Sequence, residues 1–530
     1  LVIRSLNMRK RTFLPLLVIA LALAGPGFGQ EAKNTLSISL DECIIRALKD
    51  NLGVAIQVLG PEISTQNLKQ AEAKYVPTMS MSAQLRSSEN ASYSYLDAAE
   101  SLVDRTQNYT FLSASQPLPT GGNFSLDFTG YRTSTNRTGQ TINPRFGTTL
   151  RFTFSQPLLK NFGTKISRRE IRVAANNLGV SEENLKNTLM TTVYNVESAY
   201  WNLVYSIENL EVRRQSLDLA KDLLEKNKRS VEVGTLAPME VLSAEAEVAT
   251  READLIQAET QIKSNEDQLK LLLNFSLDEE KTVAAIMPQD KPTYVVREVS
   301  LDEAIAQALQ NRTDLEISRI GLETEKINLG YAKNQVLPEV NLSASFYSPG
   351  IDGTRLIYEG NPLTTPVIGT IPGDISGALK QTARFAYPNW NLGLTLNLPL
   401  SNVFSRASLV QARLNLRQAM LDMENQKNQA YLEVKNAVRA VEANYRRILA
   451  YKTARELAEQ KLAAEEEKRR VGMSTNYLVL SYQRDLANAR ISELNAIISY
   501  NVSIAALERS MGTNLKSKNI NLGEIVPGLD

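Results

Sequence analysis

Two hydrophobic rhythms alternate along the chain. "SLDECIIRALKDN" (residues 39–51) and "SLDEAIAQALQNR" (residues 300–312) carry apolar residues at three- and four-residue spacing, which predicts an amphipathic helix in each. Both open with Ser-x-x-Glu, Ser39 with Glu42 and Ser300 with Glu303, the pattern of a capping box. Each copy then reaches a proline, Pro77 or Pro338, where the helix stops and period-two alternation begins. "TTLRFTFSQPLL" (residues 148–159) and "NWNLGLTLNLPL" (residues 389–400) read as strands that pass through a Pro-Leu step into a helix. Loops are expected over residues 87–108 and over the Gly/Pro-rich stretch 348–388. The first copy holds one more element. Pro119-Thr120-Gly121-Gly122 is a tight-turn signal between two alternating runs, so a hairpin is added over residues 109–133. In it Phe124, Leu126 and Phe128 alternate with Ser125 and Asp127.

A helical rhythm near 3.5–3.6 then takes over for unusually long stretches. Residues 180–233, 239–287, 401–471 and 473–511 contain neither Gly nor Pro. A run of about 65 residues spans on the order of 100 Å as a helix, whereas a mean globular helix has about 11–12 residues. The runs are rich in Ala, Glu, Lys, Leu, Gln and Asn, and long antiparallel coiled coils fit them. Small residues (Ala244, Ala246, Ala249, Ala253, Ala487, Ala489) are expected in the seams.

Val233-Gly234 and Val471-Gly472 are the only breaks between the paired runs. Gly234 and Gly472 can take positive φ and end a helix, and Pro238 can start the next. Two hairpin tips follow. Val233, Leu236, Val471 and Met473 gain nothing from water at the end of a stalk, which makes the tips candidate docking surfaces.

The chain therefore divides into residues 1–29, a first repeat 30–290, a second repeat 291–515 and a tail 516–530. At the start, Met8-Arg9-Lys10-Arg11 precedes an apolar run from Phe13 to Ala24, with Ala22-Leu23-Ala24 or Gly27-Phe28-Gly29 as cleavage signals. This reads as a secretory signal peptide, with the residues before Met8 an over-extended start. No cysteine directly follows either cleavage signal, so no lipidated N-terminus is expected. No later run reaches about 18 apolar residues, so any membrane span must be built of strands.

The chain has 530 residues, is 43% hydrophobic and 22% charged, and carries a net charge of +1, with no basic field for nucleic acid. It has no histidine, which removes the commonest general base and zinc ligand. Its single cysteine, Cys43, lies in a helical pattern and reads as a buried small residue. No phosphate loop or acid cluster stands in an enzyme's context, so neither catalysis nor a cofactor is expected. Aromatics gather at the strand ends (Tyr93, Tyr95, Tyr109, Phe111, Phe124, Phe128, Tyr131, Tyr347, Tyr387, Trp390), as at membrane interfaces.

The duplicated Ser-Leu-Asp-Glu start, Val76-Pro77 and Leu337-Pro338 before the strands, Gln156-Pro157-Leu158, and Val-Gly tips followed by Val-Leu come in the same order twice. In this the chain, over about residues 36–514, resembles the TolC-like outer-membrane efflux family. The resemblance implies a mainly α protein with a membrane β-barrel. Each subunit of a homotrimer would give strands to one shared barrel in the outer-membrane lipid and hairpins to one α-helical barrel in the periplasm. The duct would meet a periplasmic adaptor and an inner-membrane pump, and would act as the exit of an efflux or type I secretion system. By the same resemblance the tips Val233, Gly234, Thr235, Leu236, Ala237, Pro238 and Val471, Gly472, Met473, Ser474, Thr475, Asn476 would contact the adaptor. Members of the family give four strands per subunit; the added hairpin here predicts six. Some also carry aspartates after the second tip, where this chain has Leu478 and Ser481, with Glu240 the acid in the first copy. The constriction would then lie at Glu240, Tyr477, Leu478 and Ser481 and close by apolar contact through Leu478 and Met473. The competing reading is a non-conducting coiled-coil spacer of the cell envelope.

Overall fold

The computed structural model describes residues 34–92, 101–276, 279 and 283–520. The expected signal peptide, Tyr93 and Tyr95 lie outside the described residues. The first copy runs β1 (Asn34–Ile38), α1 (Leu40–Asp50), α2 (Leu52–Ala73), β2 (Thr78–Ala91), β3 (Ser101–Pro117), β4 (Asn123–Thr135), β5 (Ile142–Pro157), α3 (Thr164–Ser167), α4 (Arg169–Glu232), α5 (Pro238–Leu272) and β6 (Val283–Pro288). The second runs α6 (Leu301–Asn311), α7 (Thr313–Gln335), β7 (Glu339–Tyr358), β8 (Val367–Ile371), α8 (Ile375–Ala383), β9 (Asn389–Asn397), α9 (Val403–Arg470) and α10 (Asn476–Met511), followed by α11 (Asn514–Ser517).

Local signals account for most boundaries. Ser39 accepts from the Glu42 amide while the Glu42 side chain accepts from the Ser39 amide, a complete capping box. Ser300 makes only the first of these bonds. Asn51 caps α2 by accepting from the Gly53 and Val54 amides. α4 and α9 are 64 and 68 residues long, so each spans about 100 Å. α4 begins earlier than its glycine-free run and passes through Gly179. Conversely, the run 239–287 is not one helix. α5 stops at Leu272, Asn274 takes φ 51°, and β6 follows. β6 pairs in parallel with β1, which ties the start of the first copy to the end of its hairpin.

The expected loops are mostly strand. β2 and β3 pair from Thr78–Ser115 out to Ala91–Ser101, and β7 continues to Tyr358. The stretch after residue 348, expected to be a loop, holds β8 and α8 instead. Isolated alternation is weak in these polar segments, and pairing with a neighbour decides them. Among the described residues the sheet has seven strands in the order β2-β3-β4-β5-β7-β8, with β9 also on β7. Apart from β8, of five residues, six strands are long. β3 and β4 form the added hairpin, closed at Gly121, whose φ is 94°.

Three apolar clusters hold the helices. The largest packs α1, α4 and the β1–β6 ribbon around Cys43, Leu189, Val193, Tyr200 and Leu203. The Cys43 thiol is fully buried. Burial first, then the charges of Glu42 and Asp290, push it up to about 12, so it is unreactive. A second cluster unites α6, α9 and α10, and a third lies behind the hairpin tips. Two tyrosines pin the linker between the copies: Tyr200 donates to Asp290 at 2.6 Å, and Tyr500 donates to the Val295 carbonyl at 3.1 Å. Residues 514–520 remain packed, because Lys518 pairs with buried Glu197 at 2.8 Å and Asn514 donates to the Met190 carbonyl. Among the described residues, no helix is long and apolar enough to cross a membrane.

Candidate functional site

The two tips share one backbone device. In the first, the Gly234 amide donates to the Val231 carbonyl and Thr235 to Ser230; in the second, Gly472 donates to Arg469 and Met473 to Lys468. These paired bonds close the last carbonyls of α4 and α9 as a Schellman motif. Its left-handed residue is glycine in both, with φ 75° at Gly234 and 80° at Gly472. The restarts differ. Pro238 sits in the first turn of α5 behind the extended Ala237, whereas Thr475 caps α10 by accepting from the Leu478 amide. Ser474 donates to Glu465 at 2.6 Å and holds that carboxyl below the usual range, with Lys468 assisting.

The tip residues separate by exposure. Val233, Val471, Met473 and Tyr477 are 64–77% exposed. Thr235, Ala237 and Pro238 are exposed too, while Leu236 and Ser474 are half-buried. Asn476 is 8% exposed, so it faces the interior of its own subunit rather than the tip surface. Of the expected constriction residues, Glu240, Leu478 and Ser481 are half-buried and Tyr477 alone is exposed. Behind them Leu217, Leu223, Val248, Leu462, Val479 and Leu480 form one cluster, so the two hairpins are held side by side.

Arg251, which the sequence reading passed over, fastens this arrangement. It is 4% exposed, donates to the Ser216 and Leu480 carbonyls at 2.6 and 3.1 Å, and pairs with Glu247 at 3.0 Å. Burial lowers its pKa, and the Glu247 bond and charge oppose that. One side chain thereby links α4, α5 and α10. No local signal distinguishes Arg251 from the many arginines of a solvated coiled coil.

The sheet is two-faced. One cross-strand row runs Arg86–Thr106–Thr133–Arg145, and another Ser113–Asp127–Arg151–Tyr347–Asn389. These rows belong to a polar face, and its upper part lines an open hollow that includes Arg86, Asp104, Asn108 and Arg145. The other face carries Met79, Met81 and Leu85 on β2, Phe124, Leu126 and Phe128 on β4, Leu150, Phe152 and Phe154 on β5, and Leu392, Leu394 and Leu396 on β9. Asp127 and Ser125 thus lie opposite Phe124, Leu126 and Phe128, as their alternation predicts. A bulge at Phe111 keeps that ring on the apolar face against Phe128, 5.1 Å between centroids. Tyr131 and Tyr347 lie on the polar face under Arg145 and Arg151, which removes both from the expected interface aromatics.

The small-residue seam is also different from expectation. Ala244 and Ala487 are buried, Ala489 is half-buried, and Ala246, Ala249 and Ala253 are exposed. These three continue an outward line on α5, Leu242–Ala246–Ala249–Ala253–Ile256, at alternate four- and three-residue spacing.

Two stacked helical hairpins on a two-faced sheet define a subunit of an outer-membrane channel. The family model "Outer membrane efflux protein" matches residues 123–274 and 304–513, and the chain belongs to that family. It is 25% identical over 326 residues to the outer membrane protein TolC of Vibrio cholerae, covering 61% of this chain and 67% of that protein. To the Brucella suis outer membrane efflux protein BepC it is 22% identical over 362 residues, covering 68% and 70%. The fold is similar to that of the Campylobacter jejuni CmeC outer membrane channel (TM-score 0.63, 17% identity, 93% of this chain and 90% of that one). It is similar likewise to the outer membrane protein VceC of Vibrio cholerae (TM-score 0.62, 18% identity, 89% and 96%). The protein is an outer-membrane exit channel of an efflux system, not an enzyme, and the spacer reading is not favoured. Channels of this kind are trimers that work in tripartite systems.

Proposed function

We propose that three copies close one shared β-barrel through the outer-membrane lipid and one helical barrel in the periplasm. Substrates then leave through a duct lined by the polar face. The open edges of the sheet carry this reading. β2 and β9 are almost fully exposed, each with apolar residues on the apolar face. In hydrocarbon an unpaired strand edge costs several kcal/mol per backbone group, so both edges need partners. β2 leads away from a helix and β9 leads into one, so β2 of one subunit and β9 of the next would run antiparallel. The exposed heptad lines Leu52–Ile56–Leu59–Ile63 and Leu242–Ile256 suit packing between subunits.

The exposed apolar tips Val233, Val471 and Met473 are the docking surface for a periplasmic adaptor, and an inner-membrane pump supplies the energy. Leu236 and Asn476 support the turns from within. Glu240, Tyr477, Leu478 and Ser481 form the closed end, with Leu478 and Met473 as apolar plugs. Purified full-length protein should give a trimer by cross-linking in mild detergent and conduct in planar bilayers. A monomer with full β-signal, or a trimer without conductance, sinks the reading. Gly234→Val and Gly472→Val should abolish export at unchanged trimer yield, because a β-branched residue resists φ near 75–80°.

A further inference from the structure

The connection between β7 and β9 contains a built seat. Asp374 caps α8 by accepting from the Ser376 amide, and the helix lies across β5 and β7 on the apolar face. The hydroxyls of Thr148 and Thr382 meet at 2.7 Å, and Gln381 accepts from the Ile351 amide at 3.1 Å. Phe385 packs on Phe346 with centroids 5.7 Å apart. Ser348 and Ala378 are fully buried under the contact. Glycine is required on both partners. A Cβ at Gly350 would strike the Ala378 carbonyl, and one at Gly377 would strike the Asp352 carboxylate.

The outer side of α8 is unlike a water-facing surface. Ile375, Leu379 and Ala383 recur every fourth residue and are exposed. Tyr387 and Trp390, 58% and 77% exposed, continue this surface down to the Leu392–Leu394–Leu396 line of β9. Lys380 and Arg384, one turn apart, form no ion pair among the described residues. The height also fits. Between Glu339 and Ser348, β7 climbs about 23 Å at ~3.4 Å per residue and ~40° of tilt, close to the ~25 Å apolar band of outer-membrane barrels. The helical domain lies at the other end, so α8 reaches the far boundary of that band.

We propose that α8 is an interfacial helix on the outside of the barrel wall. Its Ile375–Leu379–Ala383 face enters the outer-leaflet boundary, and Lys380 and Arg384 hold phosphate-bearing lipid headgroups. This rests on the reading of the apolar face as the lipid face, and it adds a lipid-recognition element to the channel.

The test uses nitroxide labels on full-length Leu379→Cys and, separately, Leu394→Cys, reconstituted in phosphatidylcholine vesicles containing phosphatidylglycerol. Cys43 is buried and unreactive, so each variant carries one label. Oxygen and a water-soluble nickel chelate then report immersion by power saturation. Both labels should be oxygen-accessible and shielded from nickel. Leu394→Cys in lipid with Leu379→Cys in water overturns the interfacial helix and leaves the barrel standing; that result would point to a protein partner at the cell surface. Leu394→Cys in water overturns the barrel reading itself, and the proposal with it. For the headgroups, native mass spectrometry of the wild-type trimer should retain phosphatidylglycerol over phosphatidylcholine, and K380Q/R384Q should lower that preference at least threefold. An unchanged preference removes the two cations from the proposal.

Discussion

At the residue scale, one buried charge, Arg251, and one half-buried charge, Asp314, tie helices together. Arg251, 4% exposed, satisfies two carbonyls and Glu247. Arg251→Ala strips all three, and breaking a buried pair costs about 3–5 kcal/mol. Arg214, 56% exposed beside Glu211, is the control, since a surface pair is worth ~0–1 kcal/mol. Thermal unfolding followed by circular dichroism should fall several degrees for Arg251→Ala and hardly move for Arg214→Ala; equal shifts would refute the fastening role. Asp314 offers a pH test. Burial alone would raise its carboxyl, but the bonds and charge of Arg312, with the Gln426 amide, hold it below the usual range. A carboxyl with a depressed folded pKa stabilises the fold above its unfolded pKa, about 3.9, and loses that contribution as pH falls through the folded value. Asp314→Asn should therefore lower the melting temperature by a constant amount between pH 8 and 5, with the gap narrowing below about pH 4. A gap undiminished at pH 3 would contradict this assignment.

Among the elements, the β3–β4 hairpin shows what pairing adds to alternation. Phe124, Leu126 and Phe128 share a face with Leu150, Phe152 and Phe154 across β5, and Asp127 pairs with Arg151 on the opposite face. A charge on the lipid side of a barrel costs up to about 2–4 kcal/mol at mid-depth, somewhat less for an acid. Leu126→Asp should cut the yield of folded trimer in the outer membrane severalfold, and Ser125→Asp should leave it near wild type. Equal tolerance would place the hairpin outside the bilayer. The tips are the opposite case. Their geometry was legible because glycine at φ near 75–80° and proline in the first turn act locally, whatever packs nearby. Which tip residue points outward was not legible: Asn476 and Tyr477 are adjacent and polar, yet one is buried and the other exposed. Adjacent helix residues point about 100° apart, and tertiary packing of α10 decides which of the two turns inward.

For the whole molecule, exposure in the single chain is the guide to assembly. Ala246, Ala249 and Ala253 read as a seam inside the first hairpin, but they face outward. Ala249→Glu should then lower the trimer fraction more than tenfold in mild detergent with an unchanged circular dichroism spectrum. A trimer yield equal to wild type would show that this line lies in no interface. The spacing of small residues marks close helix approach without saying which helix approaches.

The sequence by itself determined the duplicated plan, the hairpin turns, the long helices and the outer-membrane channel class. The plan, the turns and the helices rest on local chemistry or on periodicity, which the order of residues preserves, whereas the channel class rests on the family resemblance that those repeated motifs carry. Only the tertiary structure decided where polar strands continue past their visible alternation, that α5 gives way to β6, that Arg251 bridges two hairpins, and that a glycine-built seat carries α8. These depend on contacts between residues far apart in the chain, such as Thr148 with Thr382 and Arg251 with Leu480. Neither partner in such a pair carries a mark of the other, because the free energy belongs to the contact and not to the residue.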